Sequence, residues 1–224
     1  MNLLYKYTNT LIKFQDGKVN LLVVEDTRLI SKLLRDLHNQ INGLDDNFIL
    51  SEGSDDFNFK KNVLLINDIF NLSFNDKKVT NLIISKATAI CNDYENMEET
   101  NILLTSIEKY ILNIIENIEY PVLLDTIQIT NLLKSLRFTI DDNFDSQLEK
   151  IIAYIKMINE FSDCKLFILI NLKLYFTSEE LESLYKELTY LKINVLLIEK
   201  TLYNKISKYE NTTIIDKDYC EISY

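Results

Sequence analysis

Glycine sets the first limit on this chain. It occurs three times in 224 residues, as Gly17, Gly43 and Gly53, never twice within one motif. A GxxxxGK(S/T) phosphate loop and a GxGxxG dinucleotide turn both need clustered glycine, because only a backbone without Cβ approaches a phosphate closely enough. Neither is present. The single histidine, His38, excludes HExxH and every histidine-rich zinc site, and it is the one residue a Ser-His-Asp triad could use. Beside the apolar face of its helix, with no nucleophile near in sequence, it reads as structural. Cys91, Cys164 and Cys220 are odd in number and far apart. They support neither a zinc ribbon nor a disulfide framework, and free thiols fit a reducing cytoplasm. The N-terminus lacks the apolar core of a signal peptide. The longest clean apolar run, Leu166–Ile170, falls far short of the roughly 20 residues that span a membrane.

Periodicity divides the chain in three. In the first stretch, Leu11–Phe14 and Val19–Val24 flank Gln15-Asp16-Gly17-Lys18, whose Asp-Gly predicts a hairpin. Thr27–Ile41 reads as a helix with Leu29, Ile30, Leu33, Leu34, Leu37 and Ile41 on one face, Asp26 or Thr27 as N-cap and Gly43 as C-cap. Residues 45–61 are polar, with a turn at Glu52-Gly53-Ser54, and Val63–Ile66 is a short apolar strand. The second stretch, about Leu72–Asp142, is helical. Val79, Leu82, Ile83, Ala87, Ile90 and Tyr94 mark one helix. Met97–Glu119 carries an a/d seam at Leu104, Ile107, Ile111, Ile114 and Ile118, which predicts a helical hairpin. Pro121 ends it, and Ile127–Leu136 is a shorter helix. The third stretch returns to alternating helices and strands. It has a helix over Asp145–Phe161, strands at Leu166–Ile170, Val195–Ile198 and Thr213–Ile215, and a capping box at Thr177-Ser178-Glu179-Glu180 opening a helix to Tyr190. Apolar strand runs between helices predict a parallel sheet covered on both faces. The expected fold is therefore a discontinuous α/β domain, residues 1–71 and 143–224, carrying a helical insertion over 72–142.

Charge argues against nucleic acid at first sight. Net charge is −10 with a pI near 4.7, and only Arg28, Arg35 and Arg137 among the 24 basic residues are arginine. Bidentate reading of guanine mostly uses arginine, so any DNA contact should be to the backbone. The candidates are Lys60-Lys61, Lys77-Lys78, Lys134 with Arg137 at i,i+3, and Lys150 and Lys156 on the polar side of their helix; local basic stripes can track phosphates even on an acidic chain. Asp125, Asp141, Asp142, Asp145 and Glu149 flank the short helix. Hard oxygen ligands in that number suit Ca²⁺ across the junction of insertion and core, although no EF-hand spacing is present and carboxylates at a helix N-terminus also serve as caps. Glu25-Asp26 and Asp68 stand at strand ends, where α/β proteins place ligand chemistry, or where helices need caps.

Val19-Asn-Leu-Leu-Val-Val-Glu-Asp26, Leu64-Leu-Ile-Asn-Asp-Ile-Phe70, Leu148-Glu-Lys-Ile-Ile152, Leu166-Phe-Ile-Leu-Ile-Asn-Leu172, Tyr175-Phe-Thr-Ser-Glu-Glu-Leu181, Val195-Leu-Leu-Ile-Glu199 and Asp216-Lys-Asp-Tyr219 resemble, in order and spacing, the Csn-two family of accessory proteins from type II-A CRISPR loci. The resemblance spans nearly the whole chain. It implies an α/β head resembling a P-loop-type ATPase fold without its phosphate loop, and an inserted α-helical leg. It implies a homotetrameric ring with a lysine-lined hole, calcium at the head–leg junction, and double-stranded DNA ends threading the ring. The implied role is acquisition of new spacers in antiviral defence, beside the CRISPR integrase and the RNA-guided nuclease, without enzymatic activity and in the cytoplasm. Asp125, Asp141, Asp145 and Glu149 fall where the family's calcium carboxylates are expected, and Lys134 on an expected lysine. Pro121-Val-Leu-Leu124 stands where relatives carry an acidic run, and Gln128 and Asn131 replace acids. Fewer charged ligands imply weaker calcium binding. Two other readings stand beside this one: a protein-interaction scaffold with incidental DNA contact, and a nucleotide hydrolase using Glu25 and Asp68.

Overall fold

Strands buried on both faces belong at the centre of a parallel sheet, and the apolar runs of this chain take that place. The computed structural model describes residues 1–203 and 206–224. In chain order the elements are β1 (Asn2–Tyr5), β2 (Thr10–Lys13), β3 (Val19–Val24), α1 (Thr27–Ile41), β4 (Phe48–Glu52), β5 (Asp55–Asp56), α2 (Phe59–Asn62), β6 (Val63–Ile66), α3 (Lys77–Cys91), α4 (Met97–Ile115), α5 (Ile129–Ser135), α6 (Gln147–Phe161), β7 (Leu166–Ile170), α7 (Ser178–Tyr190), β8 (Val195–Glu199), β9 (Glu210–Ile215) and β10 (Glu221–Ser223). They form two compact units. One comprises residues 1–72 and 144–224, the other 73–143.

The first unit is mixed α/β. Its larger sheet has the order β6-β7-β8-β3-β9-β10, parallel except for β10. Every residue of β3 and β8 is buried. A smaller antiparallel sheet, β2-β1-β4-β5, presents Leu3, Tyr5, Ile12, Phe48 and Leu50 to one core. That core also holds Leu22, Val24, Leu196 and Ile198 of the large sheet and Leu29, Leu33 and Leu37 of α1. Truncating a leucine so buried costs about 2–5 kcal/mol. Alternate strand residues point to the opposite face, where α7 packs on β3 and α6 on α7. Local signals close the elements. Asp26 Oδ1 caps α1, accepting from Arg28 N and Leu29 N, and Gly43 follows α1 at φ +77°, a left-handed turn that glycine adopts freely. Thr177 and Glu180 make the reciprocal capping box of α7.

The Asp16-Gly17 turn exists but joins no hairpin. β2 pairs with β1, whereas β3 lies parallel between β8 and β9. Burial explains the difference: β2 alternates buried and exposed residues, as an edge strand of a one-sided sheet does, while β3 needs cover on both sides. Strand β4 corrects the reading of residues 45–61 as polar, since Phe48, Leu50 and Phe59 of that segment are buried, whereas β1, β5, β10 and α2 are short elements without a periodic signal. The first of them lies in the segment read only for its lack of a signal peptide.

The second unit is helical. Asp76 Oδ1 caps α3 through Val79 N at 2.7 Å, and α3 packs against α5, with Thr88 Oγ1 3.4 Å from Thr130 Oγ1. Asn75 Nδ2 donates to Ile140 O and Asn75 Oδ1 accepts from Ile140 N, tying the two ends of the unit. The expected hairpin of two long helices is corrected: α3 takes the short α5 as its neighbour, and α4 contains no buried residue. Helix α4 also ends at Ile115, four residues before the sequence reading, and α5 runs Ile129–Ser135.

Candidate functional site

The basic candidates differ in what they already hold. Lys61 Nζ lies 2.6 Å from Asp163 Oδ2, and Lys156 Nζ 2.6 Å from Glu187 Oε1. Both charges are engaged within the chain. Lys60, Lys134 and Arg137 are exposed and Lys150 is half-buried, with no carboxylate at ion-pair distance among the described residues. Lys134 stands in the last turn of α5, where the helix dipole favours a cation, and Arg137 follows just beyond it. Lys77 and Lys78 are exposed in the first turn of α3.

The five acidic candidates are divided by the chain: Asp125, Asp141 and Asp142 belong to the second unit, Asp145 and Glu149 to the first. Asp125 lines a pocket of about 110 Å³ with Glu108, Leu112, Leu124 and Thr126. Glu108 Oε1 in turn accepts from Ile127 N at 2.9 Å. Asp141 Oδ1 accepts from Asn143 N and Nδ2. Asp142 and Asp145 are exposed, and Glu149 stands in the first turn of α6, whose cap is Ser146. Helix α6 thus starts two residues later than the sequence reading. The carboxylate donors suit calcium chemically. Within either unit, however, no group of three or more His, Cys, Asp or Glu side chains among the described residues converges as a metal site.

At the carboxyl ends of the parallel strands, two residues separate β3 from α1. Asp26 Oδ1 accepts from Leu29 N at 2.7 Å and Arg28 N at 3.0 Å, and the Leu29 bond, ahead of the other causes, holds its carboxyl below the usual range. Tyr219 Oη is 3.5 Å away, and Lys200 Nζ donates to the Glu25 carbonyl. A phosphate at this helix N-terminus would compete for N–H groups already given to a carboxylate. Asp68 caps the single helical turn Ile69–Asn71 through Phe70 N at 2.9 Å. Glu25-Asp26 and Asp68 therefore act as loop and caps, and His38 is exposed on α1.

Sequence reasoning missed a buried ionic network beneath the large sheet. Lys173 Nζ lies 2.7 Å from Glu210 Oε1, with side chains 3% and 1% exposed. Tyr185 Oη donates to the same oxygen at 2.8 Å, and Ser207 N donates to Glu210 Oε2 at 3.0 Å. Burial, then Glu210, raises the Tyr185 phenol. Glu199 Oε1 accepts from Lys173 N at 2.8 Å, whereas Oε2 is buried with no hydrogen-bond partner among the described residues. Burial pushes the Glu199 carboxyl up to about 7, against the opposing pull of Lys173. Single acids at strand ends look like caps in a sequence, so only the fold separates these from Asp26 and Asp68.

A raised carboxyl fixes the sign of a pH effect. Between about pH 4.5 and about 7 the folded chain holds the Glu199 proton more tightly than the unfolded chain, so this residue's contribution to stability falls as pH rises through that window. Above it the ionised form is penalised in full. Glu199→Gln keeps the acceptor for Lys173 N and removes the charge. Its stability relative to wild type, from urea unfolding, should rise by about 1–3 kcal/mol from the acid to the alkaline side of the window. A difference independent of pH would refute the assignment.

No helix among the described residues is long and apolar enough to cross a membrane. No curated protein matches the chain. Among solved structures it is similar to an inward-facing metal-chelate type ABC transporter, at 12% identity and a TM-score of 0.41, over 100% of this chain and 80% of that one. Nothing is inferred from so loose a match. The family model of the CRISPR-associated protein (Cas_Csn2) matches residues 22–219, which takes in most of both units. The chain belongs to the Cas_Csn2 family of CRISPR-associated proteins.

Proposed function

We propose that this protein is a non-catalytic, non-sequence-specific binder of double-stranded DNA ends that acts, as a calcium-stabilised homotetrameric ring, in spacer acquisition during CRISPR antiviral defence. The family match over residues 22–219 carries the reading. In this reading the first unit is a head resembling a P-loop-type ATPase fold without its loop, and the helical unit is the leg. Two features support it. The N–H groups at the start of α1 that a phosphate would need are taken by Asp26, which favours binding over nucleotide hydrolysis. Ile102, Leu103, Tyr110, Leu112 and Ile114 of α4 are exposed, which favours self-association. Four chains of −10 each would carry −40, so DNA can be held only where lysines concentrate and acids face away or bind Ca²⁺. Lys60, Lys61, Lys134, Arg137, Lys150 and Lys156 are the proposed phosphate contacts, and Asp125, Asp141, Asp142, Asp145 and Glu149 the proposed calcium carboxylates. The CRISPR integrase and the RNA-guided nuclease are the proposed cytoplasmic partners.

The test compares linear with closed-circular duplex of one sequence, in calcium and in chelator. Binding to the linear form alone, lost on chelation, is the expected result, with log K falling by about 0.9 per phosphate contact for each tenfold rise in salt. Lys134→Glu with Arg137→Glu should weaken it at least about tenfold without changing the native mass. Equal binding to circles would replace the ring by an open groove, and a flat salt dependence would overturn the phosphate reading. The exposed apolar residues of α4 also favour a second reading, a scaffold for the integrase or nuclease. Capture of either partner by a chain that binds neither form of DNA would select it.

A further inference from the structure

The parallel sheet of the first unit has opposite charge character at its two edges. Each of its five parallel strands is preceded within three residues by lysine: Lys60 and Lys61 before β6, Lys165 before β7, Lys192 before β8, Lys18 before β3 and Lys208 before β9. The strands lie in the order β6-β7-β8-β3-β9 and run in one direction. Topology therefore gathers six lysines, scattered along the sequence, into one row. At about 4.8 Å between neighbouring strands the row is about 19 Å long. At the other edge the strands end on or lead into Glu25 and Asp26, Asp68, Glu199 and Asp216, with Lys173, Lys200 and Lys217 following β7, β8 and β9.

The row is only partly neutralised. Lys60, Lys165, Lys192 and Lys208 are exposed, and none has a carboxylate at ion-pair distance among the described residues. Lys18 Nζ donates to the Lys208 carbonyl at 2.5 Å, and Lys208 Nζ stands 5.0 Å from the ring centre of Tyr209. A further ammonium, Lys186, is 5.9 Å from the same ring and is shared with Glu182. The acids on this edge are Asp16 in the turn before β3, Glu210 at the start of β9, which is buried and paired with Lys173, and Asp163, whose carboxyl is held below the usual range by Lys61 and, more weakly, Lys165. Ammonium groups brought together with so few partners repel one another until an extended anion lies along them.

We propose that this amino-terminal edge of the parallel sheet is a contact for the sugar-phosphate backbone of double-stranded DNA, made by Lys18, Lys165, Lys192 and Lys208 beside Lys60 and Lys61. The inference rests on the duplex-binding reading above and adds four residues to it. A row of about 19 Å matches five or six base-pair steps at about 3.4 Å. Lysine is a point charge on a flexible stem, which suits phosphates and carries no base preference.

The test is the combined variant Lys165→Gln, Lys192→Gln, Lys208→Gln, all exposed positions, measured by fluorescence anisotropy on a short duplex over a salt series. With unchanged circular dichroism and melting, the salt slope should fall in magnitude by about 2–3, or about 0.9 per lost contact, and affinity near physiological salt by on the order of 100-fold. Wild-type slope and affinity in this variant, while Lys134→Gln with Arg137→Gln loses binding, would overturn the row and leave the DNA reading standing. A wild-type protein that binds no duplex even at low salt would overturn both. Lysine acetylation read by mass spectrometry supplies a test on the unaltered chain. Duplex should protect Lys165, Lys192 and Lys208 but not Lys217 beyond the acidic edge, and equal labelling with and without DNA would refute the contact.

Discussion

Lys173→Ala should destabilise the folded chain by about 3–5 kcal/mol, the usual cost of removing one partner from a buried ion pair. The reason is what stays behind. Glu210 is 1% exposed and would be left, among the described residues, with the Tyr185 hydroxyl at 2.8 Å and Ser207 N at 3.0 Å as the partners of its side chain. Lys173→Met with Glu210→Gln should recover most of the loss, because the glutamine oxygen still accepts from Tyr185 and the methionine fills the lysine stem's volume. A coupling of about 2 kcal/mol or more between the two sites in denaturant unfolding would carry the assignment. Additive single effects, or a Lys173→Ala loss below about 1 kcal/mol, would mean that the pair is solvated and the network has been misread. The melt should also show no gain from salt, since a pair this deep is poorly screened.

That network marks the boundary of what was legible. Thr27–Ile41 is visible in the sequence to the residue, because Asp26, the i, i+3, i+4 leucines and Gly43 are all local signals. The capping box of α7 and the apolar runs at β6, β7 and β8 are equally local. Pairing is not local. The Asp16-Gly17 turn predicts a hairpin, yet β3 leaves it to lie between β8 and β9, a choice made by burial on both faces and by strands almost 200 residues away. The same non-locality hid the site chemistry. Glu199 follows an expected strand and Glu210 lies three residues before one, and Lys18, Lys165, Lys192 and Lys208 are far apart in the sequence; only parallel topology brings each set together. The carboxylates at 125, 141, 142, 145 and 149 stand out by their closeness in sequence; of these, Asp141 Oδ1 accepts from Asn143 N and Nδ2, and Glu149 stands in a helix start where any carboxylate is favoured.

Placing charge on α4 should undo assembly while sparing the fold. The a/d seam read from sequence shares Ile107 and Ile114 with a stripe, Leu103, Ile107, Tyr110 and Ile114, spaced by 4, 3 and 4 residues, in which Ile107 is half-buried and the other three are exposed. Within one chain Leu103 is 49%, Tyr110 65% and Ile114 45% exposed, and the helix buries none of its residues. A seam of this kind gains on the order of 2 kcal/mol for each large apolar side chain it covers, and within the helical unit these side chains are not covered. Leu103→Glu with Ile114→Glu should therefore leave the circular dichroism of the chain unchanged. Surface substitutions of this kind alter single-chain stability by only about 0.5 kcal/mol. In sedimentation, however, the double variant should shift the native mass from the proposed four chains toward one or two. Duplex affinity should fall with it, by on the order of 100-fold, because phosphate contacts that act together in the proposed ring become separate weak ones. An unchanged mass and unchanged DNA affinity would remove α4 from the assembly. An unchanged mass with lost capture of the integrase or nuclease would give the stripe to a partner protein, and the scaffold reading would then account for the uncovered helix better than the ring.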